Sequence, residues 1–274
     1  MIAYLNNKEL TDEEVKKIIM KSKILGMSVQ EVAPAKGKAN CYLVGKTPTY
    51  HMLYIPKEVT VLNRGEWDPD VSSPLLDLEG HLTIIGGKGL TDASYMLRYC
   101  NFKSYDFSNF DASNVITMEG MFKNCTIKRL ELRDIKTKKL QNTSSMFKYA
   151  EIDDLILEGF NTSNVKDMSD MFSSFRGKNI DLHNLNTSKV ENMNRMFYNC
   201  GLTEIDLKGL DTKSVLTMVE TFCKYNKELV DIRGLNLSNV KIMERILVDC
   251  TAKVLTNNPK IIDMMIMKLK SHTG

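Results

Sequence analysis

The chain has 274 residues, 43% hydrophobic and 26% charged, with a formal net charge of +3, the composition of a folded globular protein and not of a disordered or fibrous one. Its 37 basic and 34 acidic residues nearly balance, and no segment is basic enough to indicate direct nucleic-acid binding. No run approaches the roughly 18–20 apolar residues of a membrane span, and Met1 to Leu10 lacks a basic stretch followed by an apolar one, so a cytoplasmic protein is expected, or a cell-surface one if a leader has been removed.

Residues 1–79 carry no visible repeat. Thr11-Asp-Glu-Glu14 is a capping box opening a helix to about residue 25, with Val15, Ile18, Ile19 and Ile24 apolar. Strand-like runs follow at Met27–Val32, Asn40–Val44, Tyr50–Ile55 and Val59–Leu62. The Gly65 to Pro74 stretch reads as a loop and holds the only tryptophan, Trp67. Together these predict a small α+β capping region in front of what comes next.

From residue 80 to 257 the chain repeats. Met-Phe recurs at Met121-Phe122, Met146-Phe147, Met171-Phe172 and Met196-Phe197, with weaker copies at Met96-Leu97, Thr221-Phe222 and Ile246-Leu247. Every step is 25 residues across seven units, the signature of a solenoid. Val165, Met168, Met171 and Phe172 fall on one face of a short helix, with Thr162 and Ser163 placed to cap it. Leu130-Glu131-Leu132, Ile180-Asp181-Leu182, Ile205-Asp206-Leu207 and Val230-Asp231-Ile232 alternate as short strands with one buried face. A strand-helix unit this small buries both faces only by stacking on its neighbours. The phenylalanines then form an internal spine.

The units Phe160-Asn-Thr-Ser-Asn-Val165-Lys-Asp-Met168-Ser-Asp-Met171-Phe172 and Leu185-Asn-Thr-Ser-Lys-Val190-Glu-Asn-Met193-Asn-Arg-Met196-Phe197 resemble the BspA-type leucine-rich repeats of bacterial surface proteins, in the roughly 25-residue form found in lactobacilli and mycoplasmas. The resemblance covers residues 80–257 and implies a solenoid used for binding, often adhesion.

Residues 258–274 close the chain as a capping helix. Asn258 and Pro259 suit its start, and Ile261, Ile262, Met265, Ile266 and Leu269 form its apolar face. The expected fold is an α/β, right-handed, leucine-rich-repeat-like solenoid with a parallel sheet and a cap at each end.

Chemistry-bearing residues are sparse. Cys100, Cys125, Cys200 and Cys250 share one repeat column as packing residues; Cys100 and Cys125 sit on adjacent turns, close enough for a disulfide, and Cys223 is expected on the helix surface. The four histidines, His51, His81, His183 and His272, lack ligand partners at helical or strand spacing, and Gly86-Gly-Lys-Gly-Leu-Thr91 lacks the spacing of a phosphate loop. No nucleophile, base and orienting group come together, so neither catalysis, metal nor cofactor is expected. The informative surface is the outer face of the sheet. One column reads Asp106, Glu131, Ile156, Asp181, Asp206, Asp231, and the next Ser108, Arg133, Glu158, His183, Lys208, Arg233. The two columns either neutralise each other or form a surface for another protein with a basic face, and Trp67 either packs onto the first repeat or serves as a binding anchor. The expected function is a non-catalytic intracellular scaffold that occupies or masks a macromolecular partner. Two other readings are a phage- or mobile-element-encoded inhibitor of a host nucleic-acid enzyme acting through the acidic column, and an adhesin-type surface fragment.

Overall fold

In the computed structural model the described residues are 28–32, 36–37, 41–47, 49–62, 75, 78–133, 135–178 and 180–271, with positions 13, 14, 16, 17 and 20 before them. Glu13, Glu14, Lys16, Lys17 and Met20 are helical, in line with the capping box. Thr11, the Gly65 to Pro74 loop and Trp67 lie outside the described residues.

The four strand-like runs appear as β1 (Ser28–Val32), β3 (Cys41–Thr47), β4 (Tyr50–Ile55) and β5 (Val59–Val61), with a short strand that was not expected, β2 (Lys36–Gly37), after the first. β3 pairs antiparallel with both β1 and β4. β4 then pairs in parallel with β6 (His81–Gly86), and β6 with β7 (Ser104–Phe110). The N-terminal region and the first repeats therefore share one sheet, in the order β1-β3-β4-β6-β7. A second ladder starts in the same place, where Val61 bridges Asp92 in parallel. Residues 50–62 thus contribute a rung to both ladders and behave as a leading coil without the repeat motif.

The parallel solenoid continues through β8 (Thr126–Glu131) with β9 (Glu151–Ile156), and through β10 (Glu204–Asp206), β11 (Leu229–Asp231) and β12 (Lys253–Leu255). The strand expected at Ile180-Asp181-Leu182 is absent. The chain there makes a 3-10 turn, Leu182–Asn184, capped by Asp181. In this unit the column of Cys100, Cys125, Ala150, Cys200, Tyr225 and Cys250 carries Phe175. Its ring sits so close under Gly177 that a Cβ there would come within 2.5 Å, and only Arg176 keeps a bridge to Glu151.

The second correction is larger. The segment containing Val165, Met168, Met171 and Phe172 is not helical; it is a run of tight turns, and among the described residues from 78 to 271 the only α-helix is the C-terminal one. Two columns of each unit take a positive φ: Tyr95, Gly120, Ser145, Asp170, Arg195, Glu220, Arg245, and Tyr99, Asn124, Tyr149, Ser174, Asn199, Lys224, Asp249. Backbone N–H groups alternate in direction. Met118, Gly120, Phe122 and Asn124 donate to Asn142, Ser144, Met146 and Lys148 of the next coil, while Met121, Lys123 and Cys125 donate within their own coil. A helix of two turns would leave most of its end groups unpaired and carry the full nucleation cost. Stacked coils pair every one of them instead. The apolar spacing survives the change, because Met118, Met121, Phe122 and Cys125 all remain buried.

Inside, Phe122, Phe147, Phe172, Phe197 and Phe222 stack nearly parallel at 5.8, 5.5, 5.7 and 6.0 Å between centroids. A buried polar ladder runs alongside: the hydroxyls of Thr137, Thr162, Thr187 and Thr212 donate to the carbonyls of Asn161, Asn186, Asp211 and Asn236 in the following coil. Thr162 is therefore no helix cap. The local turn is made by Asn161, whose Oδ1 accepts the Ser163 N–H.

The C-terminal helix α1 (Pro259–Ser271) starts with Asn258 Oδ1 accepting the Lys260 N–H at 3.0 Å. It buries Ile261 fully and packs Met265 against the core. Ile262 and Ile266, expected on the same buried face, are 40% and 44% exposed. The helix meets the last coil along a narrow stripe and leaves the flank of that stripe open.

Candidate functional site

The two sheet-face columns are where the sequence placed the site, and stacking does bring them side by side. What the geometry adds is that the ladder aspartates build turns. Asp106, Asp181, Asp206 and Asp231 each accept, through Oδ1, the backbone N–H two residues on, from Ser108, His183, Lys208 and Arg233 at 2.9, 3.0, 2.9 and 3.2 Å. Each makes an Asx turn: Asp206 and Asp231 at the end of their strands, Asp106 within β7, and Asp181 ahead of the 3-10 turn.

The charges are also answered within the chain. Glu131 takes Arg129 at 2.6 Å and Arg133 at 3.3 Å, and Arg133 reaches Glu158 at 4.0 Å. Arg129 also pairs with Asp154. Asp181 holds His183 Nδ1 at 3.1 Å, and Asp206 holds Lys208 at 3.7 Å. Asp231 departs furthest from expectation. Only 2% exposed, it accepts Arg233 Nη2 at 2.7 Å and Lys208 Nζ at 2.8 Å. The Arg233 guanidinium, and then the Lys208 ammonium, hold its carboxyl well below the usual carboxylate range. It does not present a negative charge to an incoming partner. Asp106, Asp181, Arg133, Glu158, His183, Lys208 and Arg233 are exposed, and Glu131 and Asp206 are half-buried. The face is a mixed, internally paired surface; Trp67 lies outside the described residues.

A second charged array, which the columns of the sequence contained but strand reading passed over, lies on the turn face. Asp170, Arg195, Glu220 and Arg245 occupy one positive-φ column on successive coils with alternating sign. Arg195 contacts Asp170 at 3.5 Å and Glu220 at 3.2 Å; Arg245 contacts Glu220 at 2.8 Å; Lys148 adds to Asp170 at 2.8 Å. Opposite charges one coil apart favour the native register, since a slip by one unit would bring like charges together. Arg195 also lies 4.2 Å from the Tyr198 ring centre.

The remaining candidates resolve as packing. All six cysteines are free thiols and buried. Cys125 Sγ donates to the Leu97 carbonyl at 2.9 Å. Cys223, expected on a helix surface, is fully buried, because the turn segment directs that position inward; burial raises its thiol and disfavours the reactive thiolate. Burial pushes Cys41 and Cys200 up to about 12. His51 is buried edge-on against Phe102. His81 stacks on Tyr50 at 4.7 Å and bonds Ser104 Oγ. Among the described residues no three His, Cys, Asp or Glu side chains converge as a metal site, and no helix is long and apolar enough to cross a membrane. The Gly86 to Thr91 run is the first coil's turn; at Gly89 a Cβ would lie 1.8 Å from the Lys57 carbonyl oxygen.

Comparison with known proteins yields no matching curated protein and no matching solved structure. A family model does match, twice, over residues 87–176 and 150–260, and the overlapping matches follow the repeats through the body of the solenoid. The chain belongs to the family described as "Mycoplasma protein of unknown function, DUF285".

Proposed function

We propose that this chain is a non-catalytic binding scaffold that occupies or masks a macromolecular partner. The observation that carries the reading is the in-register stack of coils, continuous along the aromatic spine and the ladder from Val61 to Ile242. The aromatic spine fixes the coils at 5.5–6.0 Å between ring centres, so outward side chains form straight columns that a large partner engages over many units at once. The ladder aspartates are tied to backbone N–H groups and, at Asp181, Asp206 and Asp231, also to basic side chains of their own chain, an arrangement suited to holding shape and not to proton transfer. The likeness to BspA-type leucine-rich repeats points the same way. The partner is a protein that meets the sheet face through mixed charge rather than through a basic patch alone, since Glu131, Glu158, Asp181, Asp206 and Asp231 already have a basic counterpart nearby.

Affinity capture from the native host tests this, comparing the wild type with a triple variant Arg133→Ala, Glu158→Ala, His183→Ala. These three side chains are exposed and outside the core. A protein recovered stoichiometrically with the wild type and lost from the variant is the expected result. Equal recovery would move the interface off this face, and the absence of any saturable partner would overturn the scaffold reading.

A further inference from the structure

Stacking collects lysines that are dispersed in the sequence. Consider the six residues that link the sheet ladder to the second ladder in each coil: 86–91, 111–116, 136–141, 161–166, 186–191, 211–216 and 236–241. They hold Lys88, Lys136, Lys138, Lys139, Lys166, Lys189, Lys213 and Lys241 against Asp111, Glu191 and Asp211, so eight cations and three anions leave +5 on this one edge. The whole chain carries +3, so the rest of the molecule is net −2. All eight lysines are exposed. No arginine and no aromatic residue occurs in these segments.

The segments form one continuous edge. Gln141, Lys166, Glu191, Leu216 and Lys241 each donate a backbone N–H to the residue one coil back in the same column, starting from Ile116. Asn114, Asn164 and Asn239 donate Nδ2 to the carbonyls of Lys88, Lys138 and Lys213. The ammonium groups of Lys139 and Lys189 rest on the neutral amide oxygens of Asn114 and Asn164 at 2.7 and 2.5 Å, which orients them without cancelling their charge. Two of the three carboxylates, Asp111 and Asp211, are engaged by the N–H groups of Ser113 and Lys213. Glu191 lies 3.9 Å from Lys166. Asp92 and Asp167, just beyond the edge, likewise accept the N–H groups of Ser94 and Ser169.

From these observations we propose that this edge docks the phosphate backbone of double-stranded nucleic acid without reading its sequence. Each coil from the third to the seventh carries at least one of the lysines. At roughly 4.8 Å per coil these five coils span about 19 Å. That length of duplex presents about five or six phosphates on one strand, at 3.4 Å per charge. Lysine alone supplies point charges with no bidentate fork for base edges, and without aromatic rings there is no platform for unpaired bases. The charge is confined to a line along one edge, which suits a rod. A lipid surface would also press on the adjoining faces, where charges of both signs are paired with each other. This surface is separate from the sheet-face columns and does not depend on the scaffold reading. Scanning the chain for basic runs misses it because the longest run on this edge, Lys136-Thr-Lys138-Lys139, is short, Lys88 lies 48 residues before it and the later lysines stand 23–28 residues apart.

The experiment is fluorescence anisotropy with labelled 25-base-pair duplexes of two unrelated sequences, titrated with the full chain between 50 and 200 mM salt. Equal affinity for both duplexes is expected. So is a log–log salt slope near −4.5 for about five phosphates, a loss of roughly 500-fold over that range. The variant Lys139→Gln, Lys166→Gln, Lys189→Gln, Lys213→Gln should lose at least about tenfold in affinity at 100 mM salt and flatten the slope, while the same four positions changed to Arg should retain binding. A control removing equal charge elsewhere, Lys103→Gln, Lys128→Gln, Lys178→Gln, Lys253→Gln, should bind within about threefold of wild type, and thermal melts of all three variants confirm that they fold. No duplex binding at 50 mM salt overturns the proposal. So do equal losses in edge and control variants, preference for single strands, or edge-dependent binding to vesicles containing phosphatidylserine but not to duplex.

Discussion

Two residues concentrate the energetics of the solenoid. Phe172 sits at the middle of the spine, fully buried, stacked on Phe147 and Phe197 and met edge-on by Phe175 at 5.7 Å. Its neighbours are held by their own coils and cannot collapse into the space a smaller residue leaves. Phe172→Ala is expected to cost about 3–5 kcal/mol, measured by chemical denaturation; a loss under about 1 kcal/mol would contradict the spine. Asp231 is the other. Its carboxyl titrates below the ordinary carboxylate value because Arg233 and Lys208 favour the charged form. The folded value lies below the unfolded one, near 3.9. The stabilisation is therefore complete above that pH and fades as pH falls toward the folded value. Asp231→Asn keeps an oxygen for the Arg233 N–H but loses the ion pairs. It should cost about 1 kcal/mol at pH 7, below the roughly 1.5–3 kcal/mol of a charged hydrogen bond because both cations are about half-exposed and screened by solvent. The gap between variant and wild type should then narrow on acidification from pH 5 to pH 2. A gap independent of pH would assign the effect to packing.

At the scale of the element, the repeat length, the inward columns and most strands were legible in the sequence, because a 25-residue period and a two-residue alternation leave direct traces. The turn segment was not. Its inward positions recur at the i, i+3, i+4, i+7 spacing of a helix, and its left-handed positions are filled by Ser, Asp, Arg, Glu, Tyr, Asn and Lys, with Gly120 alone giving the usual signal. The site was misjudged for a related reason. An aspartate column reads as a charged face, whereas the structure uses the same oxygens to close turns. One substitution separates turn ladder from helix by sign. Ser145 has φ +56° and gives its N–H to the Ser169 carbonyl. A non-glycine residue in that region costs about 1–2 kcal/mol, which glycine removes in exchange for chain entropy. Ser145→Gly should therefore be neutral or stabilising by up to about 1 kcal/mol in thermal or chemical denaturation. In a helix the same change would be destabilising by several tenths of a kcal/mol.

For the whole molecule the question is how an open stack of coils ends. At the N-terminal side β4 and β5 extend both ladders outward, so the first coil meets backbone partners of its own kind. At the other end β12 pairs only with β11, and the core beneath the last coil, Val240, Met243, Leu247 and Cys250, is 5–9% exposed. Helix α1 closes this end with Ile261 and, in part, Met265. A solenoid lacking such a cap presents both an apolar floor and an unpaired parallel edge, the combination that recruits a second chain. Deleting residues 258–274 should therefore produce concentration-dependent association visible by light scattering, together with a lower melting temperature at dilutions where the chain is still monomeric. Replacing Ile261 alone with Asp tests the same contact without removing the helix's exposed flank, where Ile262 and Ile266 already face solvent. If the association came from loss of the cap, Ile261→Asp should reproduce it. If the deleted chain stays monomeric and equally stable, the last coil closes itself and α1 is free for another role.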